Sequence, residues 1–459
     1  MKMPSKKNID MTQGSILKQL SAFTIPLLIG EFFQLFYTLV DSITVGNFVG
    51  AGALAAIGAS ESIVNVVIGF FNGMAVGFGV VVARYFGAKD QEKLDLAVNS
   101  VLQLGVLLGL IMTAGGIVLC NPILHFMDTP PEILKDAQSY LMTYFAGIMG
   151  FVLYNTAASV LRAVGEVRIP LYCLLASSVV NVVLDLIMVI LFHMGVAGVA
   201  LATIASQWMA TGISVFALFR RKELFHVSPF KVRPDRKMLS VFLQMGIPTG
   251  FQKTITSVSN VLVLSKIAFF GEACLAGWTV CNKIDHVFML LMQAIGSALS
   301  TFVSQNLGAK QYERIEKGVR VSLAGGAVLY VILGTLIVLN RGMLVRAFGT
   351  DSEMYYYAVN FLFYLTIFKF AQLLMNVFAA SLRGAGKMAL VTLFMLSGIV
   401  VFRQIYLFFI TRFMNNPWLV GLSYPAGQAF AAMILFLYYL FVIRPEWRKK
   451  EKELKELQG

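Results

Sequence analysis

YFGAKDQEK at residues 85–93 returns as NLGAKQYER at residues 306–314. Two more pairs share that displacement of 221 residues: ALAAI at 53–57 with CLAGW at 274–278, and VLRAVGE at 160–166 with SLRGAGK at 381–387. One such coincidence is cheap, but three at a single displacement describe a duplicated unit. The repeated pieces lie at or beside the hydrophilic breaks of a chain that is otherwise apolar, so the duplicated object is a set of apolar spans and their loops.

Of 459 residues, 58% are hydrophobic and 13% charged, and the mean hydropathy is +0.76. That is too little charge to cover a soluble protein of this size. Apolar runs long enough to cross about 30 Å of hydrocarbon as helix recur from about residue 20 to about residue 443. Twelve are read, six in each copy. Six is even, so the copies keep the same orientation and are related by an axis along the membrane normal. The expected fold is an all-α polytopic membrane protein of twelve transmembrane helices, in two pseudo-symmetric six-helix bundles around a central cleft. The expected domains are an N-terminal bundle at 1–220, a connecting loop at 221–238, a C-terminal bundle at 239–443 and a charged tail at 444–459.

The net charge of +13 does not point to nucleic acid, because the basic residues concentrate in alternate loops. Arg220, Arg221, Lys222, Lys231, Arg233, Arg236 and Lys237 fill the longest loop. Excess Lys and Arg on one side marks the cytoplasm. Both termini and the connecting loop are therefore expected there, in a multi-pass protein of the cell (inner) membrane. The first apolar run is too long for a cleaved leader and ends in no small-residue cleavage site.

Chemistry-bearing motifs are sparse. Cys120, Cys173, Cys274 and Cys281 form no CxxC, the four histidines are scattered, and there is no HExxH. RGAGKM at 383–388 lacks the spacing of a phosphate loop and the hydroxyl after its lysine. Neither a membrane-embedded enzyme nor an ATP-driven pump is favoured, and no cofactor is expected. Matched helical halves with buried polar residues read instead as a secondary transporter.

Polar residues inside the spans are the candidate site. In the first span Gln34, Tyr37 and Asp41 share one helix face. Asp41 lies about 9 Å from the outer end, at a rise of 1.5 Å per residue. In the fifth span Asn181 and Asp185 stand four apart, with Ser177 and Ser178 on the preceding turn, and Asp185 lies about 12 Å from the same end. Thr203 in the sixth span and Glu61 in the second fall at similar depth. A carboxylate at the centre of a membrane helix costs about 2.5–3.5 kcal/mol. A proton relieves that cost, and so does Na⁺ held with amide and hydroxyl oxygens. The C-terminal half differs in sign: Lys253, Lys283, Lys369 and Arg403 lie inside spans, with Asp285 two residues after Lys283. They read as internal ion pairs or as a surface for anionic groups. Met and Phe, at 22 and 37 residues, suit a cleft wall that adapts to varied amphipaths.

The stretch IPLLIGEFFQLFYTLVDSITVGNFVGAGALAAIG, with FGAKD, LRAVGE, QNLGAK and LRGAGK in that order, resembles the MATE family of multidrug and toxin extrusion transporters, prokaryotic type. The resemblance covers nearly the whole chain. It implies a secondary antiporter that exports organic cations or amphipathic drugs in exchange for H⁺ or Na⁺. It also implies that Asp41, Asn181 and Asp185 form the cation-sensitive site, joined by Thr203 for Na⁺. Some members carry an acidic residue in span seven, eight positions after its proline; here Pro248 is followed at that distance by Thr256. Gln34, Tyr37, Glu61, Lys253, Asp285, Lys369 and Arg403 remain candidates for the substrate cleft. The expected partners are small amphipathic or cationic molecules and membrane lipids, with the protein a monomer. A flippase for a lipid-linked or anionic substrate of the same superfamily is the alternative.

Overall fold

The computed structural model describes residues 9–228, 234–349, 351–414 and 416–458; among them the side chains of 37–39, 41–43, 46–47, 51, 54 and 458 lie outside the description. The described chain is helix joined by tight turns, as it must be where lipid offers the backbone no hydrogen bonds. The first half comprises α1 (Ile16–Phe48), α2 (Ala51–Ala88), α3 (Gln91–Phe126), α4 (Pro131–Ala163), α5 (Arg168–Leu186) and α6 (Gly195–Arg220), with a π-helical turn at Ile187–Leu191 after α5. The second half begins with α7 (Arg236–Ala268), α8 (Glu272–Gly308), α9 (Tyr312–Arg346), α10 (Ser352–Phe368) and α11 (Phe370–Gly384). It continues with α12 (Met388–Leu396), α13 (Arg403–Phe413), α14 (Pro417–Gly421), α15 (Ser423–Tyr438) and α16 (Arg444–Gln458). Here π turns at Ser397–Phe402 and Tyr439–Ile443 join α12 to α13 and α15 to α16.

Among the described residues, ten helices are long and apolar enough to cross a membrane, and α10 with α11, bent by 47° at Lys369, makes eleven. The twelfth rod is α7, 33 residues long. Its apolar run is broken by Gln252, Lys253 and a stretch rich in Ser and Thr.

The repeat is visible in the backbone. Gly50 and Gly271 have φ 113° and 100°, Lys89 and Lys310 55° and 57°, and Gly165 and Gly386 both 82°. Each pair is displaced by 221 residues. At Gly165 the left-handed turn also has no room for a side chain, since a Cβ would lie 2.2 Å from the Ile9 carbonyl oxygen.

The chain divides into two compact units, Met1–Asp10 with Ile25–Ile247, and Met11–Thr24 with Pro248–Gly459. The divisions fall beside Pro26 and at Pro248. Both prolines lie inside helices, α1 and α7, rather than at helix starts. In the first unit, Phe71 packs edge-on against Phe78 and Phe151, and Phe78 against Phe242. Asp90 caps α3 through the Lys93 N–H and pairs with the Lys93 ammonium at 2.8 Å. Gln311, its repeat counterpart, makes no side-chain cap. The start of the connecting loop is pinned to α3. Asn99 donates to the His226 carbonyl and accepts from the Ser228 N–H, while Asp95 accepts from the His226 N–H.

In the second unit, Trp278 packs against Phe361 and Tyr424. The Met11 N–H donates to Gln305 Oε1, and the Met11 carbonyl accepts from Asn306 and Arg314. Buried Glu316 on α9 gathers Arg320, Arg444 and Arg448 within 3.3 Å, and so ties the charged tail helix α16 to α9.

Candidate functional site

In the first unit, α5 turns Ser177, Ser178, Asn181 and Asp185 inward. Both serines are spent on the Leu174 carbonyl, the local bond that lets a hydroxyl sit in a buried helix. Asn181 is 2% exposed, yet neither atom of its amide head finds a hydrogen-bond partner among the described residues. Asp185, one turn on, is 1% exposed. On α6, half-buried Thr203 donates to the Val199 carbonyl at 3.0 Å, leaving its oxygen lone pairs available.

Two close approaches fix how these helices align. A Cβ at Gly30 of α1 would meet the Leu174 side chain of α5 at 3.1 Å, and one at Gly195 would meet Val49 at 3.8 Å. Successive spans alternate in direction, so α1 runs parallel to α5 and antiparallel to α6. Eleven residues beyond Gly30 is Asp41, and eleven beyond Leu174 is Asp185. Eight before Val49 is Asp41 again, and eight beyond Gly195 is Thr203. Two independent contacts thus bring Asp41, Asp185 and Thr203 to one level, with Asn181 a turn inward. The side chains of Tyr37 and Asp41 lie outside the described residues. Gln34 and Glu61 are half-buried.

The second unit gathers charge of the other sign. Lys369, 8% exposed, stands at the bend between α10 and α11. Its ammonium lies 2.6 Å from Asp285 Oδ2 and donates to Gln372 Oε1 at 3.0 Å. Arg403, 1% exposed, opens α13 just after the π turn. It donates to Asn260 Oδ1 at 2.9 Å and to Ser259 Oγ, and its guanidinium covers the Tyr424 ring at 4.7 Å. Beside them is a cavity of about 330 Å³ whose wall includes Asn260, Trp278, Asp285, Lys369, Gln372 and Tyr424, with Arg403 behind Asn260 and Tyr424. Of the other internal lysines, Lys283 lies over the Phe348 ring and Lys253 is exposed. Neither lines the cavity. Asn260, Gln372 and Tyr424 were not singled out from the sequence. The available signal was a polar residue within an apolar run, which Asn260 and Gln372 share with many helix residues that face nothing special.

The family model MatE matches residues 26–187 and again 248–409. A Bacillus subtilis (strain 168) protein named probable multidrug resistance protein YpnP is 26% identical over 437 residues, covering 95% of this chain and 97% of its own length. A Shewanella oneidensis protein named FAD transporter is 22% identical over 347 residues, covering 74% of this chain and 75% of its own. A solved structure described as the outward-facing conformation of a multidrug resistance MATE family transporter of the MOP superfamily superposes with a TM-score of 0.90. It is 21% identical and covers 98% of this chain and 100% of that one; at that identity the likeness is one of fold.

Proposed function

Because the chain belongs to the MatE family of membrane transporters, we propose that it is a secondary antiporter, exporting amphipathic or cationic small molecules in exchange for H⁺ or Na⁺. The observation that carries this reading is the buried Asn181–Asp185 face of α5, level with Asp41 and Thr203. An ionised carboxylate there costs about 2.5–3.5 kcal/mol on insertion scales. A proton taken from outside cancels the charge, and Na⁺ compensates it while binding carboxylate, amide and hydroxyl oxygens. An energy of that size moves a two-state balance by roughly 100-fold. Loading the site changes what α1 packs against and biases which side the transporter opens to. Substrate leaves on the side where the ion enters, and ion release inside resets the cycle. The name of the Bacillus relative supports drugs as substrates, and the loop charges support cytoplasmic termini in the cell membrane.

The test is ethidium efflux from proteoliposomes under a proton or a sodium gradient imposed separately. Wild type is expected to couple to one of them, and Asp41→Asn and Asp185→Asn to lose that coupling. Wild-type coupling retained in both variants overturns the assignment of the site.

The buried pair of cations Lys369 and Arg403 favours a second reading, an anionic or lipid-linked substrate. The Shewanella relative, named for a dinucleotide that bears a diphosphate, supports it. In the same vesicles, that reading requires no ethidium flux under either gradient and movement of a phosphate-bearing amphipath.

A further inference from the structure

We propose that the cavity of the second unit is a binding site for a flat aromatic anion, a ring system carrying one carboxylate or phosphate. Neither guanidinium nor ammonium can accept a hydrogen bond. Gln372 must therefore turn its oxygen to Lys369, and Asn260 its oxygen to Arg403. Both amides are left with their NH₂ groups for the cavity they line. The two cations thus convert two ambivalent side chains into donors. His286 and the Lys369 ammonium border the same space. Against these donors stands one carboxylate, Asp285, whose Oδ2 is held by Lys369 at 2.6 Å. Asp285 is the resident anion, and an incoming anion competes with it for Lys369.

The lining is also aromatic: Trp278 and Tyr424 lie 5.3 Å apart between ring centroids, tilted by 46°, and Met289 lines the same space. Arg403 already covers Tyr424, so its field disfavours a second cation there. About 330 Å³ is at the small end of ligand sites and suits one fused bicyclic ring with its head group. An organic cation meets the Lys369 ammonium and one acid already paired with it, whereas an organic anion meets that ammonium and the amide NH₂ groups of Asn260 and Gln372. The site uses none of the coupling residues, and its test is an equilibrium without a gradient, so either reading fails without the other.

The test uses the full chain in detergent, titrated with 2-naphthoate, 1-naphthyl phosphate and 1-naphthylmethylammonium. Quenching of Trp278 is the readout, and Trp278→Phe removes it. Either anion is expected to bind roughly tenfold or more tighter than the amine, the order of one charge-assisted hydrogen bond. Asp285→Asn keeps an acceptor for Lys369 but removes the competing charge, and is expected to tighten anion binding. Adding Lys369→Gln to it is expected to lose that gain and roughly tenfold more. Gln372→Glu, which turns a donor into an acid, is expected to weaken both anions and serves if either other variant fails to fold. Repeating the naphthoate titration in nanodiscs separates the sources of the anion. Competition by phosphatidylglycerol, absent with phosphatidylcholine, identifies a lipid head group; no competition by either identifies a soluble anion. Amine binding as tight as naphthoate, or weaker anion binding by Asp285→Asn, overturns the proposal.

Discussion

Lys89 and Lys310 close α2 and α8 in the same way, each in the left-handed region at φ 55° and 57°. The N–H of each lysine reaches back to the Phe86 or Leu307 carbonyl, and the next N–H to Tyr85 or Asn306. This helix stop normally takes glycine. A side chain in that conformation costs about 1–2 kcal/mol, partly offset by the greater chain entropy that glycine brings to the unfolded state. Lys310→Gly is therefore expected to stabilise by about 0.5 kcal/mol, and Lys310→Val to destabilise by about 1 kcal/mol or more. Thermal unfolding in detergent reads both, and Lys89→Gly should add to Lys310→Gly because the two turns are far apart in the chain and share no partner. A lower midpoint for either glycine variant contradicts the strain.

Lys369 is buried and Asp285 half-buried, and each is the other's charge partner, so removing one leaves the other uncompensated. Lys369→Met is expected to destabilise by about 3–5 kcal/mol, and Lys369→Met with Asp285→Leu by much less, because a well-packed apolar pair replaces a buried ion pair at little net cost. The coupling measured by the double-mutant cycle is the readout. Additive losses mean that the pair interacts weakly and that each residue is held by other neighbours.

The helices and the duplication were legible in the amino-acid order, because lipid demands long apolar runs and the loops between them recur. The reason for the recurrence was not legible. GAK recurs at the shared displacement, and only φ shows that its lysine occupies a left-handed turn. Depth was legible too: Asp41, Asp185 and Thr203 were placed in one layer by counting, and the contacts at Gly30 and Gly195 give the same alignment independently. Lateral partners were not legible, since depth carries no information about which faces meet. Asp285 stood two residues from Lys283, yet it pairs with Lys369, 84 residues away. Glu316 was lost among the basic residues of its loop, although buried it organises three of them. Pro26 and Pro248 lie near where the apolar runs begin, and the helices extend further back through polar residues.

Glu316 predicts how the tail is held. Arg320, Arg444 and Arg448 converge on one carboxylate, so Glu316→Gln removes the charge while keeping the size. The tail helix is expected to loosen, with faster tryptic cleavage after Arg448 and Lys449 and little change in the remaining spans. Glu316→Asp, which keeps the charge on a shorter stem, should fall between wild type and Glu316→Gln. Cleavage at the wild-type rate in Glu316→Gln means that packing of Tyr439 on Trp447 suffices to hold the tail.

Two glycines separate side-chain from backbone packing. A Cβ at Gly147 of α4 would lie 2.2 Å from Cγ2 of Ile204 on α6. A Cβ at Gly384 of α11 would lie 2.6 Å from the Ser300 carbonyl oxygen of α8, with Val303 beside it. Both alanine variants overpack their helix pair, at about 1–3 kcal/mol. The Gly147 clash is with a side chain that can be trimmed. Ile204→Ala alone costs about 2–5 kcal/mol for its lost contacts, but in Gly147→Ala the same change removes the clash. The double variant is therefore expected to lose clearly less than the sum of the singles. At Gly384, Val303→Ala leaves the Ser300 carbonyl where it was, so the rescue is expected to be partial at best. Thermal unfolding of both cycles measures the two coupling energies. Equal rescue at both sites shows that α11 can slide on α8, and that this contact does not fix their spacing.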